Sequence, residues 1–178
     1  MSISLVAGLG NPGREYADTR HNAGFVVIDA LASRLGLAWK RSLRCHAWIA
    51  RWPQAAGGVR LLAKPTTFMN ESGQALRALA DFYHVPATAI VVAYDDLAIE
   101  LGRVKISVRG SAGGHNGIAS LLEHLDDGFI RYRLGIGPKQ PAAMDLKDFV
   151  LGRFTPDERT IFDHHLTTYL DGLGLLLE

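Results

Sequence analysis

The stretch IVVAYDD, residues 90–96, indicates the fold class of this chain. Its first five residues form an unbroken apolar run, which is typical of a strand buried on both faces of a parallel sheet. The run stops at Asp95 and Asp96, so we expect two carboxylates to emerge at the end of that strand. Outward from this run, strand patterns alternate with helix patterns, and this alternation predicts an α/β fold.

Strand patterns recur on both sides of the run. Residues 3–8 are apolar and rich in branched side chains, and glycines and a proline follow them. Residues 44–52 and 59–63 predict two strands that could form a hairpin. Residues 103–109 alternate apolar with basic or polar side chains, which favours a strand with a basic face, and residues 130–136 predict one more strand.

Apolar side chains at helical spacing predict four helices. The first covers residues 22–35 and ends at Gly36, and the second follows Asn70, a plausible cap. A third follows residues 113–116. The last, about residues 156–176, begins with a capping-box motif.

The order of these elements predicts a single three-layer domain over residues 1–178. We expect a twisted, mixed and largely parallel sheet with helices on both faces. Binding sites of such folds gather outside the carboxyl ends of the strands. Asn11, Asn70 and Asp95 each follow a predicted strand, so we expect a site there.

The composition leaves both an enzyme and a binding module open. The formal net charge is only +1, so contact with a nucleic acid must come from a local cluster of basic side chains. Cys45 is the only cysteine, which excludes an intrachain disulfide and fits a reducing cytoplasm. No apolar run reaches the roughly 20 residues of a membrane span, and no leader is recognisable, so we expect a soluble cytoplasmic protein.

The motif GLGNPG, residues 8–13, matches the GxGxxG pattern of dinucleotide-binding enzymes. In those enzymes the last glycine opens a helix that faces the pyrophosphate. Here residues 14–20 intervene before the helical pattern begins. We therefore expect no nicotinamide or flavin cofactor.

Two histidines stand beside asparagines where loops become helices, His21 before Asn22 and His115 before Asn116. Each asparagine could simply cap its helix, and a histidine beside a cap is more often structural than catalytic. Asp95 changes the balance for His21, because a carboxylate on one ring nitrogen leaves the other free to accept a proton from water. The seven histidines show no HExxH or similar spacing, and the sequence has no GxSxG elbow, so we expect metal-free water activation.

Seven blocks, spread over nearly the whole chain, together resemble bacterial peptidyl-tRNA hydrolases: GLGNPG (8–13), TRHNAG (19–24), KPTTFMN (64–70), YDD (94–96), GGHNG (113–117), RLGIG (133–137) and FVLG (149–152). The resemblance implies an enzyme without metal or cofactor. It would hydrolyse the ester between the peptide and the tRNA ribose, and so recycle tRNA from aborted translation. A monomer that binds the acceptor stem and 3′ end of peptidyl-tRNA is also implied.

The same resemblance implies roles for individual residues. His21 would activate water, Asp95 would stabilise the useful form of its imidazole, and Asn11 would help to distinguish N-blocked peptidyl-tRNA from free aminoacyl-tRNA. The tRNA acceptor end and the peptide are expected at Tyr16, Phe68, Met69, Asn70, His115 and Asn116.

The family's clamp for the tRNA 5′-phosphate is only partly present. Arg133 matches its arginine, whereas the position of its lysine falls on Ser107. Lys105 or Arg109 could substitute, within a basic patch that also includes Arg103 and Lys139. The competing interpretation is that these charges protect an edge strand from aggregation.

The chain ends at Glu178, where many relatives continue with a further basic segment. We expect either weaker tRNA binding or compensation by the basic patch. The alternative function is a non-catalytic tRNA- or RNA-binding relative of the same fold. Intact His21 and Asp95 favour the enzyme.

Overall fold

The computed structural model describes residues 2–178 and contains seven strands and six α-helices in that range. The predicted domain begins at Met1, which lies outside the described residues. The strands are β1 (Leu5–Gly8), β2 (Trp39–Ser42), β3 (Ala47–Pro53), β4 (Val59–Pro65), β5 (Ile90–Glu100), β6 (Val104–Val108) and β7 (Ile130–Gly137). The helices are α1 (Ala23–Arg34), α2 (Ser72–Tyr83), α3 (Asn116–His124), α4 (Leu146–Leu151), α5 (Pro156–His164) and α6 (Leu166–Leu177).

All seven strands belong to one sheet, in the order β2-β3-β4-β1-β5-β7-β6. The four central strands, from β4 to β7, are parallel, and the three outer pairings are antiparallel. The predicted hairpin is β3 and β4. The predicted α/β fold with a mixed sheet is confirmed.

Helices cover both faces of the sheet because its buried strands present apolar side chains in both directions. In β1, Leu5 and Ala7 pack in one apolar cluster with α2 and α3. Val6, between them, packs in a second cluster with α1, α5 and α6. None of the helices in residues 2–178 is long and apolar enough to cross a membrane.

Strand β5 is longer than its apolar run predicts, and this places Asp95 and Asp96 inside the strand rather than at its end. The reason is that β7 continues to pair with β5, with Asp95 opposite Leu134, before the register shifts between Asp96 and Glu100. The other neighbour, β1, stops pairing where Gly8 meets Ala93. Asp95 therefore extends beyond the end of β1.

Helix α1 lies against β1 and β5 with almost no space between the backbones. A Cβ atom on Gly24 would lie 2.4 Å from the Ala93 carbonyl oxygen, and one on Gly8 would lie 2.4 Å from the Gly24 carbonyl oxygen. Only glycine permits this approach. The start of α1, directly after His21, is thereby held beside β5.

Several elements differ from the sequence predictions. Strands such as β2 and short helices such as α4 were not predicted, because four to six residues carry little periodicity. The single helix predicted over about 156–176 is wrong, since the helix is interrupted at His165. The imidazole of His165 donates to the Ile161 carbonyl, and its φ and ψ of −90° and 0° depart from helical values.

Candidate active site

A cleft of about 580 Å³ opens at the carboxyl edge of the central strands. Eight of the predicted site residues line it: Asn11, Tyr16, His21, Met69, Asn70, Asp95, His115 and Asn116. The topology explains this convergence, because the loops after parallel strands meet at one edge of the sheet.

His21 lies in a 3₁₀ turn, Arg20–Asn22, that precedes α1. The turn has three residues per revolution, so its successive side chains point about 120° apart. His21 reaches β5, where its Nδ1 lies 2.8 Å from Oδ2 of Asp95. Both side chains are buried.

The Asp95 carboxylate also has a second imidazole partner, His115. Its Nε2 lies 2.8 Å from the other carboxylate oxygen, Oδ1. The Nδ1 of His115 accepts a hydrogen bond from the Ile118 backbone N–H at 3.2 Å. Because that N–H can only donate, Nδ1 is unprotonated, and Nε2–H must donate to Asp95.

The contact between His115 and Asp95 was not predicted from the sequence. His115 was expected to contact substrate, and Asn116 was a possible cap of α3. In the structure His115 is the N-cap and Asn116 is the first helical residue. No spacing rule reveals this group, because its three members come from separate segments of the chain.

The two imidazoles hold Asp95 in its ionised form. Burial alone raises the pKa of this carboxyl group, but His115 and His21 more than offset burial and bring the pKa well below its usual range. An ionised Asp95 accepts the Nδ1 proton of His21. The Nε2 atom of His21 then carries a lone pair and is the basic atom of the cleft.

His21, Asp95 and His115 are also the one trio of metal-ligand types that comes together within residues 2–178, with ligand atoms inside 4.8 Å of one another. In the arrangement described above, each carboxylate oxygen already accepts one imidazole N–H. A cation bound by these atoms would have to displace both hydrogen bonds. The geometry favours a hydrogen-bonded group.

Asn11 is held in one orientation by two neighbours. Its backbone N–H donates to Asn22 Oδ1 at 2.8 Å, and Asn22 Nδ2 donates back to the Asn11 carbonyl at 2.9 Å. The Met69 backbone N–H donates to Asn11 Oδ1 at 2.7 Å. Since Oδ1 is the acceptor, the NH₂ group of Asn11 remains available as a donor to the cleft.

Neither Asn22 nor Asn70 caps a helix with its side chain, although the sequence allowed both roles. Asn22 is at the N-cap position of α1, but its side chain bonds Asn11 instead of a helix N–H. Asn70 lies inside a 3₁₀ turn, Met69–Glu71, and α2 begins after Glu71 without a side-chain cap. Both amides serve the cleft region rather than a helix end.

Helix α4 forms a wall of the cleft that the sequence analysis did not predict. Asp145 caps it by accepting from the Lys147 N–H, and its cleft-lining residues are Leu146, Lys147, Val150 and Leu151. Asp96 and Leu97 of β5 also line the cleft. The FVLG block was the one sequence signal near this wall.

Phe68 and the predicted phosphate residues lie outside the cleft lining. Phe68 is 53% exposed and meets Tyr16 edge to face, with ring centroids 6.4 Å apart. Arg133, on β7, donates to Asp96 at 2.9 Å, and Lys105 faces it across the β6–β7 ladder.

The basic patch around β6 is partly engaged within the protein. Arg103 pairs with Glu100 at 3.0 Å, and the Lys139 ammonium donates to the Met144 carbonyl. No carboxylate partner of Lys105 or Arg109 is found within residues 2–178. Both interpretations of the patch stay open, because β6 is an edge strand as well.

Comparisons with known proteins show relatives of this chain over nearly its whole length. The model of the peptidyl-tRNA hydrolase family matches residues 5–178. A peptidyl-tRNA hydrolase of Gloeobacter violaceus is 45% identical over 173 residues, which are 97% of this chain and 84% of that protein. One from Mycobacterium tuberculosis is 46% identical over 175 residues, covering 98% and 91% of the two chains. The crystal structure of peptidyl-tRNA hydrolase from Acinetobacter baumannii has a TM-score of 0.89 at 36% identity, covering 98% of this chain and 88% of that one.

Fold and matches together define the chain as a hydrolytic enzyme of the α/β class. The resemblance seen in the sequence is confirmed. The chain belongs to the peptidyl-tRNA hydrolase family, and its activity is the hydrolysis of peptidyl-tRNA.

We expect Asp95→Asn to lower turnover by about 100-fold or more, the scale of a lost acid–base contribution. An amide offers one acceptor oxygen, so one of the two imidazole N–H groups would face an NH₂ donor. Asp171→Asn, which removes an exposed ion pair with Arg34, is the control. Wild-type kinetics in Asp95→Asn would contradict a role of the Asp95 carboxylate in turnover.

The same variant has an expected effect on acid stability. The native pKa of Asp95 lies below its reference value of 3.8, so the ionised group stabilises the fold above that pH and this contribution is lost as the pH falls below it. The free energy of unfolding should therefore decline less steeply between about pH 5 and pH 3 in Asp95→Asn than in the wild type. Chemical denaturation at several pH values measures both slopes.

Proposed function

We propose that this enzyme cleaves the ester between the peptide and the tRNA ribose with water activated by His21. The observation that carries the proposal is the His21–Asp95 pair at the cleft, with Nδ1 of the imidazole 2.8 Å from a buried carboxylate. Nε2 takes a proton from water, and the hydroxide attacks the ester carbonyl. The C–O bond to ribose then breaks, and the imidazolium returns its proton to the ribose oxygen. Free tRNA and a peptide carboxylic acid leave, and the acid loses its proton to solvent.

His115 acts in this scheme as a positioning residue. Its Nε2–H bond to Oδ1 leaves Oδ2 for His21, so the carboxylate has one orientation. Asp95 in turn fixes the tautomer of His21. The start of α3 therefore positions His115, His115 orients Asp95, and Asp95 orients the proposed base.

Donors for the oxygen of the tetrahedral intermediate are available on the α3 side of the cleft. Asn116 lines the cleft and is the first residue of α3, where unpaired backbone N–H groups point outward. Asn70 lines the cleft as well. Amide N–H groups at such positions stabilise negative charge that develops during acyl transfer.

Replacing His21 tests the base directly. His21→Ala should abolish release of the acetylated amino acid from N-acetyl-aminoacyl-tRNA, while retaining tRNA binding in a mobility-shift assay. A wild-type protein that shifts tRNA without releasing product would instead support the non-catalytic RNA-binding alternative. Turnover that survives in His21→Ala would contradict the mechanism.

We further propose that the Asn11 amide recognises the blocked amino group of the substrate. The Met69 N–H occupies Oδ1, so Asn11 presents N–H donors to the cleft. Donors suit the carbonyl oxygen of a first peptide bond. They do not suit the ammonium group of an aminoacyl-tRNA, which is itself only a donor.

Asn11→Asp replaces that NH₂ donor by an acceptor of the same shape and keeps a partner for the Met69 N–H. The ratio of kcat/KM for N-acetyl-aminoacyl-tRNA to that for aminoacyl-tRNA should fall by about tenfold or more, since an isosteric site loses selectivity when its hydrogen-bond polarity is reversed. Asn70→Asp adds the same charge to another position of the cleft and is the comparison variant. An unchanged ratio in Asn11→Asp would assign the selectivity elsewhere.

Lys105 and Arg109 are our proposed contacts to a tRNA phosphate. In the described part of the chain, they are the members of the patch whose cationic groups have neither a carboxylate nor a carbonyl partner, since Arg103 pairs with Glu100 and Lys139 donates to the Met144 carbonyl. Asp96 already neutralises Arg133. The double variant Lys105→Ala/Arg109→Ala should raise KM and reduce the salt slope of tRNA binding by about one to two, since each phosphate contact contributes about 0.7 to 0.9. Arg34→Ala/Arg77→Ala changes the net charge equally at exposed ion pairs. Equal slopes in both double variants would contradict the assignment.

A further inference from the structure

Arg20 directly precedes the base, and neither the resemblance nor the proposed mechanism gives it a role. Its side chain is only 8% exposed. Nη2 forms an ion pair with Glu158 Oε2 at 2.7 Å, and Nη1 donates to the Phe149 carbonyl oxygen at 3.0 Å. The guanidinium also lies over the Phe149 ring, 4.2 Å from its centroid. A buried arginine therefore connects the His21 turn to α4 and α5.

The contact with Phe149 lies in the last turn of α4. This helix has six residues, and a helix of that length is unstable without tertiary support. The Phe149 carbonyl already accepts the backbone N–H of Gly152 at 3.2 Å. The Arg20 guanidinium adds a second, charged donor to this oxygen and places a positive charge at the negative end of the helix.

Backbone hydrogen bonds join the same two segments. The Arg20 N–H donates to the Gly152 carbonyl at 3.0 Å, and Thr19 forms an antiparallel bridge with Arg153. A Cβ atom on Gly152 would lie 2.9 Å from Arg20 Nη1, so the guanidinium uses the space that glycine leaves. Main chain and side chain thus hold the end of α4 against the turn that carries His21.

Glu158 is held in position by a contact that does not involve Arg20. It is the third residue of α5, and its Oε2 also accepts the Thr155 N–H at 2.8 Å in a capping box. The carboxylate thereby balances the buried guanidinium without freedom to move. Buried ion pairs add little net stability, so stability alone is a weak reason for this arrangement.

The cleft-facing residues of α4, Leu146, Val150 and Leu151, form the apolar part of the wall near His21. We propose that Arg20 is a positioning residue that caps α4 and fixes this wall relative to the base. The inference rests on the proposed function, because it assumes that substrate bound against α4 is attacked by water at His21. Arg20 acts on substrate binding through the wall and does not touch the reacting atoms.

Steady-state kinetics on N-acetyl-aminoacyl-tRNA test this role with Arg20→Ala and Arg20→Lys. Arg20→Ala should raise KM by about tenfold, the scale of a lost charge-assisted contact, with kcat within about threefold and an unchanged pH profile. Arg20→Lys should recover part of the loss, because an ammonium reaches only one of the two acceptors. Arg34→Ala, which breaks an exposed ion pair far from α4, is the matched control. If Arg20→Ala instead lowers kcat in proportion to the fraction of folded protein and leaves KM unchanged, the role of Arg20 is only structural and the proposal is overturned.

Glu158→Gln covers the case in which Arg20→Ala does not fold. The amide keeps an acceptor for the capping box and removes only the charge that balances Arg20. We expect KM to rise by about threefold in this variant, with kcat retained. A wild-type KM in Glu158→Gln and Arg20→Lys together would overturn the proposal.

Hydrogen exchange tests the cap independently of activity. Amides of residues 149–154 should exchange about tenfold faster in Arg20→Lys than in Arg34→Ala, while amides of β5 should not differ. Equal exchange in the two variants would overturn the capping role. If the wild-type enzyme releases no acetylated amino acid, the proposed mechanism is overturned. The hydrogen-exchange result then tests by itself whether Arg20 caps α4.

Discussion

The structure of the site depends on one buried carboxylate that accepts two imidazole N–H groups. Asp95 can do this because β5 continues beyond the end of β1, so its side chain reaches the space where the 3₁₀ turn before α1 and the start of α3 meet. Its partners are fixed from outside, His115 by the Ile118 N–H and His21 by the close approach of α1 at Gly24. An ionised Asp95 that accepts both hydrogen bonds in turn favours one orientation and one tautomer of His21.

The turn Arg20–Asn22 makes three separate long-range contacts from three consecutive residues. A 3₁₀ turn points successive side chains about 120° apart, so each reaches a different neighbouring segment. Arg20 reaches the end of α4, His21 reaches Asp95, and Asn22 reaches the loop that carries Asn11. The end of α4, His21 and the loop that carries Asn11 are thereby joined by a segment only three residues long.

Elements with a strong local pattern were predictable from the sequence. The apolar run of β5, the hairpin of β3 and β4, and the left-handed residue Gly36 after α1, with φ of 65°, are all present in the structure. Elements without such a pattern were missed or misjudged. Helix α4 is too short to show a period, and the apolar spacing continues without a break through the interruption at His165.

The sequence by itself determined the fold class, the family and eight of the residues that line the cleft, because these follow from local periodicity and from motifs in fixed order. Only the tertiary structure decided which of these groups form hydrogen bonds with one another. His115 is the second hydrogen-bond partner of Asp95, the Met69 N–H holds Asn11 in one orientation, and Arg20 contacts α4. The physical reason is that these contacts join segments 58 to 129 residues apart or, for His115, depend on which ring nitrogen the helix N–H occupies.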